Sequence, residues 1–471
     1  MAEITPFRGL RYDIKKLGGV EPLGGIAPLV APPYDVISPA LQEDLYARHE
    51  KNVVRLDFGK KYDADTDADN RYTRSAGYLK AWLSDGTLAR DAQPCLYFYE
   101  VSYKTPSGTP KTMSGFICML RLEEWSKGVV LPHESTLKGP KADRMELMKA
   151  TGVSASQIFS LYSDKACTVT GAMKKAIGGR PADEEAADDD GAVHRLWVVE
   201  DPAAIETVRR DMMDRPVFIA DGHHRYETAL AFRDHCRANG GGDGKETYNY
   251  VPMFLANMEE DGLTVLPTHR MIKDAGGRSL KNILAEAEKF FDVRAFSRSL
   301  KNILAEAEKF FDVRAFSFTP ADEGRVRAMF LAAVQEEGKR TNAYGFYYDR
   351  GLSYYLLTLK DVDPLVETLR CQRSETYCKL DVSILHNLVI ERVLGINTEK
   401  ISQDQPVQFE KDGDRAIGRV ASGEFAMCFI LNATKVHEVK EVALAREIMP
   451  QKSTYFYPKL LTGLVIAPLV D

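Results

Sequence analysis

At 471 residues, with 44% hydrophobic and 28% charged side chains, the chain is long enough for two or three cores and has the composition of an ordinary globular protein. Its formal charge of −6 and pI near 6.0 exclude a global pull toward nucleic acid or an acidic membrane surface. No stretch approaches the ~18 apolar residues of a membrane span, "MAEITPFRGLRYD" has no secretory apolar region, and seven scattered cysteines support neither zinc nor disulfides, so a reduced, cytoplasmic setting is expected.

Residues 1 to about 115 mix turns, strands and helices. In "LVAPPYDVIS" (29–38), Pro32 and Pro33 fix an extended turn before Tyr34 and Asp35. The aromatic and β-branched content of "CLYFYEVSY" (95–103) predicts a strand, and "GFICMLRL" (115–122) a second, buried one. "VVLPHESTLKGPKADRMEL" (129–147) reads as a strand ending at Pro132 and then a charged loop. The acidic "PADEEAADDDGAV" (181–193) predicts a solvated loop.

A buried strand, "VFIA", leads through Asp221 and Gly222 into "RYETALAFRDHCRA", where Tyr226, Ala229, Leu230 and Phe232 share a helical face. The glycines of "NGGGDGKE" (239–246) end that helix. "YVPMFLANM" (250–258) and "LTVLPTHRMI" (263–272) return as strands, and the alternation predicts an α/β (α+β) fold. Then "RSLKNILAEAEKFFDVRAFS" occupies 278–297 and recurs unchanged at 298–317. Each copy reads as a helix with Leu280, Ile283, Leu284, Ala287 and Phe291 on one face, followed by a short strand. A repeat array needs about three stacked units and shows drift between them; two identical copies indicate a recent in-frame duplication or an error in the gene or its recorded sequence. Farther on, "LDVSILHNLVIERVLGI" (380–396) predicts an amphipathic helix and "FAMCFILNA" (425–433) a buried strand. The segment "MPQKSTYFYPKLLTGLVI" (449–466) is rich in Lys, Ser, Thr and Tyr.

Three segments carry candidate chemistry. In "FIADGHHRYETAL" (218–230) a strand turns at Gly222 into a helix start, where backbone N–H groups and the positive dipole end suit an oxyanion, above all phosphate. His223, His224 and Arg225 add donors, and Asp221 is placed either to cap the helix or to hold Mg²⁺ against the phosphate. In the second segment Glu134 is a candidate general base beside His133, while Lys138, Lys141 and Arg144 are candidates to neutralise phosphate charge. In the third, Lys452, Ser453 and Thr454 offer a cation and two hydroxyls to a carboxylate or phosphate; Thr268, His269 and Arg270 in "PTHR" are weaker candidates of the same kind. No P-loop, dinucleotide-binding glycine motif or nucleophile elbow is present.

"ADGHHRY" resembles the phosphate-binding signature of the ParB/sulfiredoxin superfamily, and more closely that of its free-serine kinases. Pro132-His133-Glu134 and Lys452-Ser453-Thr454 look like two further segments of those kinases. Together with "APPYDVIS" and "LPTHRMI", they also resemble, over almost the whole chain, a bacterial and archaeal family of unknown function near the serine kinases. The resemblance implies a ParB/sulfiredoxin-like mixed-sheet core over 115–275, an N-terminal α+β region over 1–114, and a C-terminal α+β region over 276–471 whose tail (449–466) returns to the active site. It implies a phosphotransferase acting on free serine or O-phosphoserine, as a kinase using ADP or ATP with Mg²⁺ or as a phosphatase. Glu134 would be the base, Asp221 to Arg225 the phosphate and metal turn, and Ser453 and Thr454 part of the amino-acid site. The chain is longer than those kinases, and its first 110 residues have no equivalent in them. Two other readings remain open: a ParB-like nucleotide- or nucleic-acid-binding regulator without turnover, and a sulfiredoxin-like redox enzyme. The acidic net charge and the missing basic helix-turn-helix weigh against the first, and Asp221 in place of a cysteine against the second.

Overall fold

The computed structural model describes residues 1–17, 25–134, 136, 138–240, 242–273, 308, 311–348, 352–360, 373–394, 396 and 407–470. The first copy of the duplicated segment and, apart from residue 308, the stretch of the second expected to be helical lie outside them. The chain forms two compact units. The first comprises 1–132, 136–264 and 456–471, and the second 133–135 and 265–455.

The first unit is built on a nine-stranded mixed sheet. Its strands are β1 (Ile4–Thr5), β2 (Leu96–Lys104), β3 (Pro110–Arg121), β4 (Val130–Leu131), β5 (Ile158–Tyr162), β6 (Glu184–Ala187), β7 (Val193–Val199), β8 (Val217–Asp221) and β9 (Tyr250–Asn257). They lie in the order β4-β8-β5-β9-β3-β2-β7-β6, with β1 paired to β3. Most neighbours are antiparallel; β9 with β5 and β8 with β4 are parallel. Residues 114 and 115 both lie inside β3, so the expected N-terminal region and phosphate-binding core share one sheet. Hydrogen bonding, blind to that boundary, pairs β3 with β2 on one side and β9 on the other.

The longer helices of this unit are α1 (Pro39–Arg48), α2 (Arg71–Ser84), α3 (Lys138–Thr151), α4 (Thr168–Ile177), α5 (Pro202–Met212) and α6 (His223–Gly240). One continuous core joins alternate residues of β3 (Phe116, Cys118, Leu120) to Met173 of α4, Met212 of α5 and Tyr226, Ala229 and Leu230 of α6. Phe232, expected on the same face, is buried as well. The C-terminal segment also belongs to this unit: the backbone N–H of Leu461 donates to the Tyr99 hydroxyl, and Phe456 packs edge-on against Phe159.

Two expectations are corrected here. Residues 138–147 are not a loop but the start of α3, because "KADRMELMKA" is made of strong helix formers. The acidic stretch is not wholly solvated: Glu184–Ala187 adds an edge strand to β7, and Glu184 is buried against Arg11 at 3.0 Å.

In the second unit a six-stranded antiparallel sheet holds β10 (His269–Ile272), β11 (Phe311–Ser317), β12 (Ala343–Tyr348), β13 (Ser353–Leu359), β14 (Val407–Glu410) and β15 (Met427–Ile430). Their order is β11-β13-β12-β15-β10-β14. α7 (Glu323–Glu337) and α8 (Gly413–Ala421) cover it through Phe330, Val334, Ile417 and Val420, packed on Met271, Tyr354 and Cys428. Helical structure over 381–393 and the strand Met427–Ile430 agree with the sequence reading. The strand closing the second copy of the duplication is β11.

Candidate functional site

The turn expected to hold phosphate stands in the first unit, where the hydrophobic β8 delivers it. Val217 to Ala220 are buried, and a register shift between Ile219 and Asp221 against β5 bulges the strand as it leaves the sheet. Such a bulge re-aims the next side chain. Gly222 follows at φ +102, and α6 begins at His223. The first intrahelical bond, from Tyr226 N–H to the Gly222 carbonyl, is 3.1 Å, and the N–H groups before it point toward the helix start.

Asp221 is held between two cations. Arg225 Nη2 donates to its Oδ2 at 2.9 Å and Lys459 Nζ to its Oδ1 at 3.1 Å. Arg225 Nη1 donates to the Gln157 carbonyl at 2.5 Å. These side chains, with Pro33, Phe159 and Thr462, line a narrow recess with room for about 10 Å³, roughly one water molecule. Two cations against one carboxylate leave a formal charge of +1. Gln157 adds an acceptor: its Nε2 donates to the Val465 carbonyl at 2.6 Å, while its buried Oε1 finds no donor among the described residues. Burial pushes the Tyr34 hydroxyl up to about 12, against the opposing charges of Arg225 and Arg144.

The other predicted phosphate ligands of this unit are engaged elsewhere. Lys141 Nζ donates to Glu227 Oε2 at 2.6 Å. Arg144 is buried, bonded to Asp57 at 3.0 Å and to Asp143 at 2.7 and 3.0 Å, and its guanidinium lies 4.2 Å from the Tyr34 ring centroid. Both carry carboxylate partners of their own, which a phosphate would have to displace. The Lys138 side chain lies outside the described residues. His223 is buried and His224 half-buried at the head of α6.

Nor does Asp221 fit the Mg²⁺ expected of it. Both its oxygens already accept from cations, and a divalent ion would have to displace Arg225 or Lys459. Among the described residues no group of three His, Cys, Asp or Glu side chains is placed to hold a metal.

In the second unit the structure gathers residues far apart in sequence. His133 and Glu134 run beside Met449, with Met449 N–H donating to the His133 carbonyl at 2.8 Å. Lys452 N–H donates to Glu134 Oε1 at 3.0 Å, and His133 Nε2 and the Thr454 hydroxyl lie 3.0 Å apart. Thr268 donates its hydroxyl proton to the Lys452 carbonyl at 2.5 Å, and Arg270 donates to the carbonyl and hydroxyl oxygens of Thr268. Burial lowers the Arg270 pKa to about 10 despite the Glu134 charge. His269 is also buried, its Nδ1 accepting from Leu431 N–H at 3.1 Å, and burial holds it near 4. Lys452, at φ +55, puts its side chain in solvent, whereas Ser453 donates to the Pro450 carbonyl at 2.5 Å and is buried, as is Thr454. The two hydroxyls expected to grip a substrate therefore brace the loop itself.

Sequence reasoning missed Lys459, Gln157 and Pro33. Lys459 stood in a segment already singled out, seven residues past Lys452, but nothing in its neighbours marks it as a partner of Asp221.

Residues 4–383 match the model of the family described as "Protein of unknown function (DUF1015)". The chain belongs to that family. The DUF1015 span takes in the 221–225 turn, His133, Glu134 and Thr268 to Arg270, and stops before Lys452 to Thr454 and Lys459. No curated protein matches the chain. Among solved structures, similarity is found to a free serine kinase in complex with AMP, at 12% identity over 71% of this chain and 89% of that one, with a TM-score of 0.32. A conserved hypothetical protein from Pyrococcus furiosus is similar at 12% identity over 70% and 87%, TM-score 0.30. C-terminally truncated SbnI from Staphylococcus aureus is similar at 9% over 75% and 87%, TM-score 0.34.

Proposed function

We propose that this DUF1015 protein is a phosphotransferase acting on free serine or O-phosphoserine with ADP or ATP, built on a ParB/sulfiredoxin-like core in its first unit. The recess at Asp221 carries the reading. Arg225 and Lys459 share the single Asp221 carboxylate and leave one net positive charge for an anionic group at a glycine-opened helix start, and the Gln157 Oε1 acceptor suits the N–H or O–H donor of an amino acid. With a nucleotide as donor, the serine hydroxyl oxygen bonds to the terminal phosphorus, the bridging P–O bond breaks, and the nucleotide leaves one phosphate shorter. Glu134, oriented through Oε1 by the Lys452 N–H, is the proposed acceptor of the hydroxyl proton. Phosphoryl transfer needs mostly positioning and charge neutralisation, which these side chains supply without a covalent intermediate.

The test is one set of turnover measurements with serine and phosphoserine against ADP, ATP and water. Transfer in any of these arms, lost in Glu134→Gln with nucleotide affinity kept within about threefold and weakened about tenfold in affinity by Lys459→Ala, is the expected result. Full activity of Glu134→Gln removes the base. Nucleotide binding without turnover in any arm makes the protein a nucleotide-binding regulator instead.

A further inference from the structure

The first unit holds a second cavity that shares no lining residue with the recess at Asp221. It has room for about 330 Å³, at the lower end of the roughly 300–1,000 Å³ of small-molecule sites. Three cations from distant parts of the chain line it: Arg8 just after β1, Arg90 before β2, and Lys245 in the loop before β9. The walls between them are largely apolar or aromatic, with Phe7, Met119 and Tyr250 contributing beside Thr5 and Thr247.

The charge balance sets this cavity apart. No carboxylate lines it. Arg8 Nε donates to the Asp91 backbone carbonyl at 2.7 Å, while the Asp91 carboxylate is taken by Arg11 at 2.7 Å and by the Tyr97 hydroxyl at 2.6 Å. Glu3, the acid next to the Tyr250 wall, accepts from Arg121 at 2.9 Å and from the Tyr250 hydroxyl at 3.1 Å. Among the described residues neither Arg8 nor Arg90 has a carboxylate within ion-pair distance, and Lys245 has only Asp243, at 3.5 Å with both side chains largely in solvent. In a chain of net charge −6, with more acidic than basic residues, such a concentration of uncompensated positive charge is unexpected on composition. A cavity with an aromatic wall and three cations, two of them without a carboxylate partner, matches a flat ring that carries several negative charges.

The geometry points to a second small-molecule site here, for a nucleoside phosphate or a like-shaped aromatic polyanion, bound through Arg8, Arg90 and Lys245 and separate from the recess at Asp221. No carboxylate, histidine or cysteine lines the cavity, so the site is one for binding, and its occupant is a ligand that acts on the protein rather than one consumed there.

The full chain is titrated with trinitrophenyl-ATP, by fluorescence, with inorganic pyrophosphate as competitor. The wild-type chain, Arg8→Ala/Arg90→Ala, Arg225→Ala and a charge control, Lys127→Ala/Lys174→Ala, are compared after circular dichroism has shown each to be folded. Arg8 and Arg90 are exposed, so the double variant removes charge without touching a core. The expected result is a class of sites weakened at least about tenfold by Arg8→Ala/Arg90→Ala, unaffected by Arg225→Ala and by the control, and displaced by pyrophosphate. Should the recess at Asp221 bind no nucleotide at all, this class remains, so the two readings fail separately. Unchanged affinity in the double variant, an equal loss in the charge control, a single class abolished by Arg225→Ala, or no binding overturns the assignment.

Discussion

One added methyl group at Gly222 probes the turn more sharply than the removal of any of its charges. At φ +102 an L-residue is strained by about 1–3 kcal/mol. An alanine Cβ would also stand 2.9 Å from Nε and Nη2 of Arg225 and 3.0 Å from its Cζ. That guanidinium ends a flexible side chain, but it is tied at 2.9 Å to Asp221 and at 2.5 Å to the Gln157 carbonyl. Shifting it strains or breaks one such charged hydrogen bond, worth about 1.5–3 kcal/mol. Gly222→Ala is therefore expected to lower the stability of the first unit by roughly 3 kcal/mol and to weaken anion binding there. The measurement is available because Trp82, Trp125 and Trp197, the three tryptophans of the chain, all lie in that unit. Urea unfolding followed by tryptophan fluorescence thus reports on it selectively. The decisive step is a double-mutant cycle. In an Arg225→Ala background the steric part vanishes, and Gly222→Ala should cost only the backbone part, a coupling of about 1–2 kcal/mol. Equal costs in both backgrounds would falsify the claim that Arg225 is clamped over the glycine.

Other perturbations test the rest of the frame. Arg144→Ala leaves the buried Asp57 carboxylate without its cation, and a loss of about 3–5 kcal/mol is expected in the same urea experiment; a loss under about 1 kcal/mol returns Arg144 to the list of phosphate ligands. Lys452→Gly relieves a left-handed backbone at φ +55 and should leave stability unchanged or raise it by up to about 1 kcal/mol, read by calorimetry; a clear loss means that the lysine side chain itself holds the loop. His269 is held near 4 when folded against its ordinary 6.5. The unfolded imidazole takes up its proton first as pH falls, so the contribution is fully present above about 6.5 and is lost progressively down to about 4. At about 1.4 kcal/mol per pH unit, that gap sets an upper bound of roughly 3.5 kcal/mol, measured as calorimetric stability between pH 7 and 4 against His269→Asn, in which this part of the slope should be gone.

What could be read in advance was what local chemistry dictates. β8 is a run of apolar residues with no alternative to burial, Gly222 is the residue a left-handed turn demands, and Tyr226, Ala229 and Leu230 share a face at helical spacing. His133, Glu134, Thr268, Arg270 and Lys452 to Thr454 were each flagged from residue type, and the second unit brings them into one hydrogen-bonded cluster. What residue type could not supply was partnership. Lys141 and Arg144 looked like phosphate ligands because nothing local to them announces that Glu227, 86 residues on, and Asp57, 87 residues back, neutralise them. Lys459 was passed over for the converse reason, since its claim rests on a carboxylate 238 residues away. The edge strand at Glu184 was lost to composition: an acidic run has little intrinsic pull toward a sheet, and here β7 and Arg11 supply it.

The recess at Asp221 depends on a segment that follows the entire second unit in the chain. A ribosome makes Asp221 and Arg225 early, yet Lys459, Leu461 and Thr462 emerge only after residues 265–455 have been synthesised. Through that interval every strand of the first unit's sheet has been synthesised, but the segment that caps Tyr99 and closes the charge around Asp221 has not. Completion of the recess is thereby postponed until translation has passed the other unit, so any property that requires Lys459 is confined to chains made past residue 459.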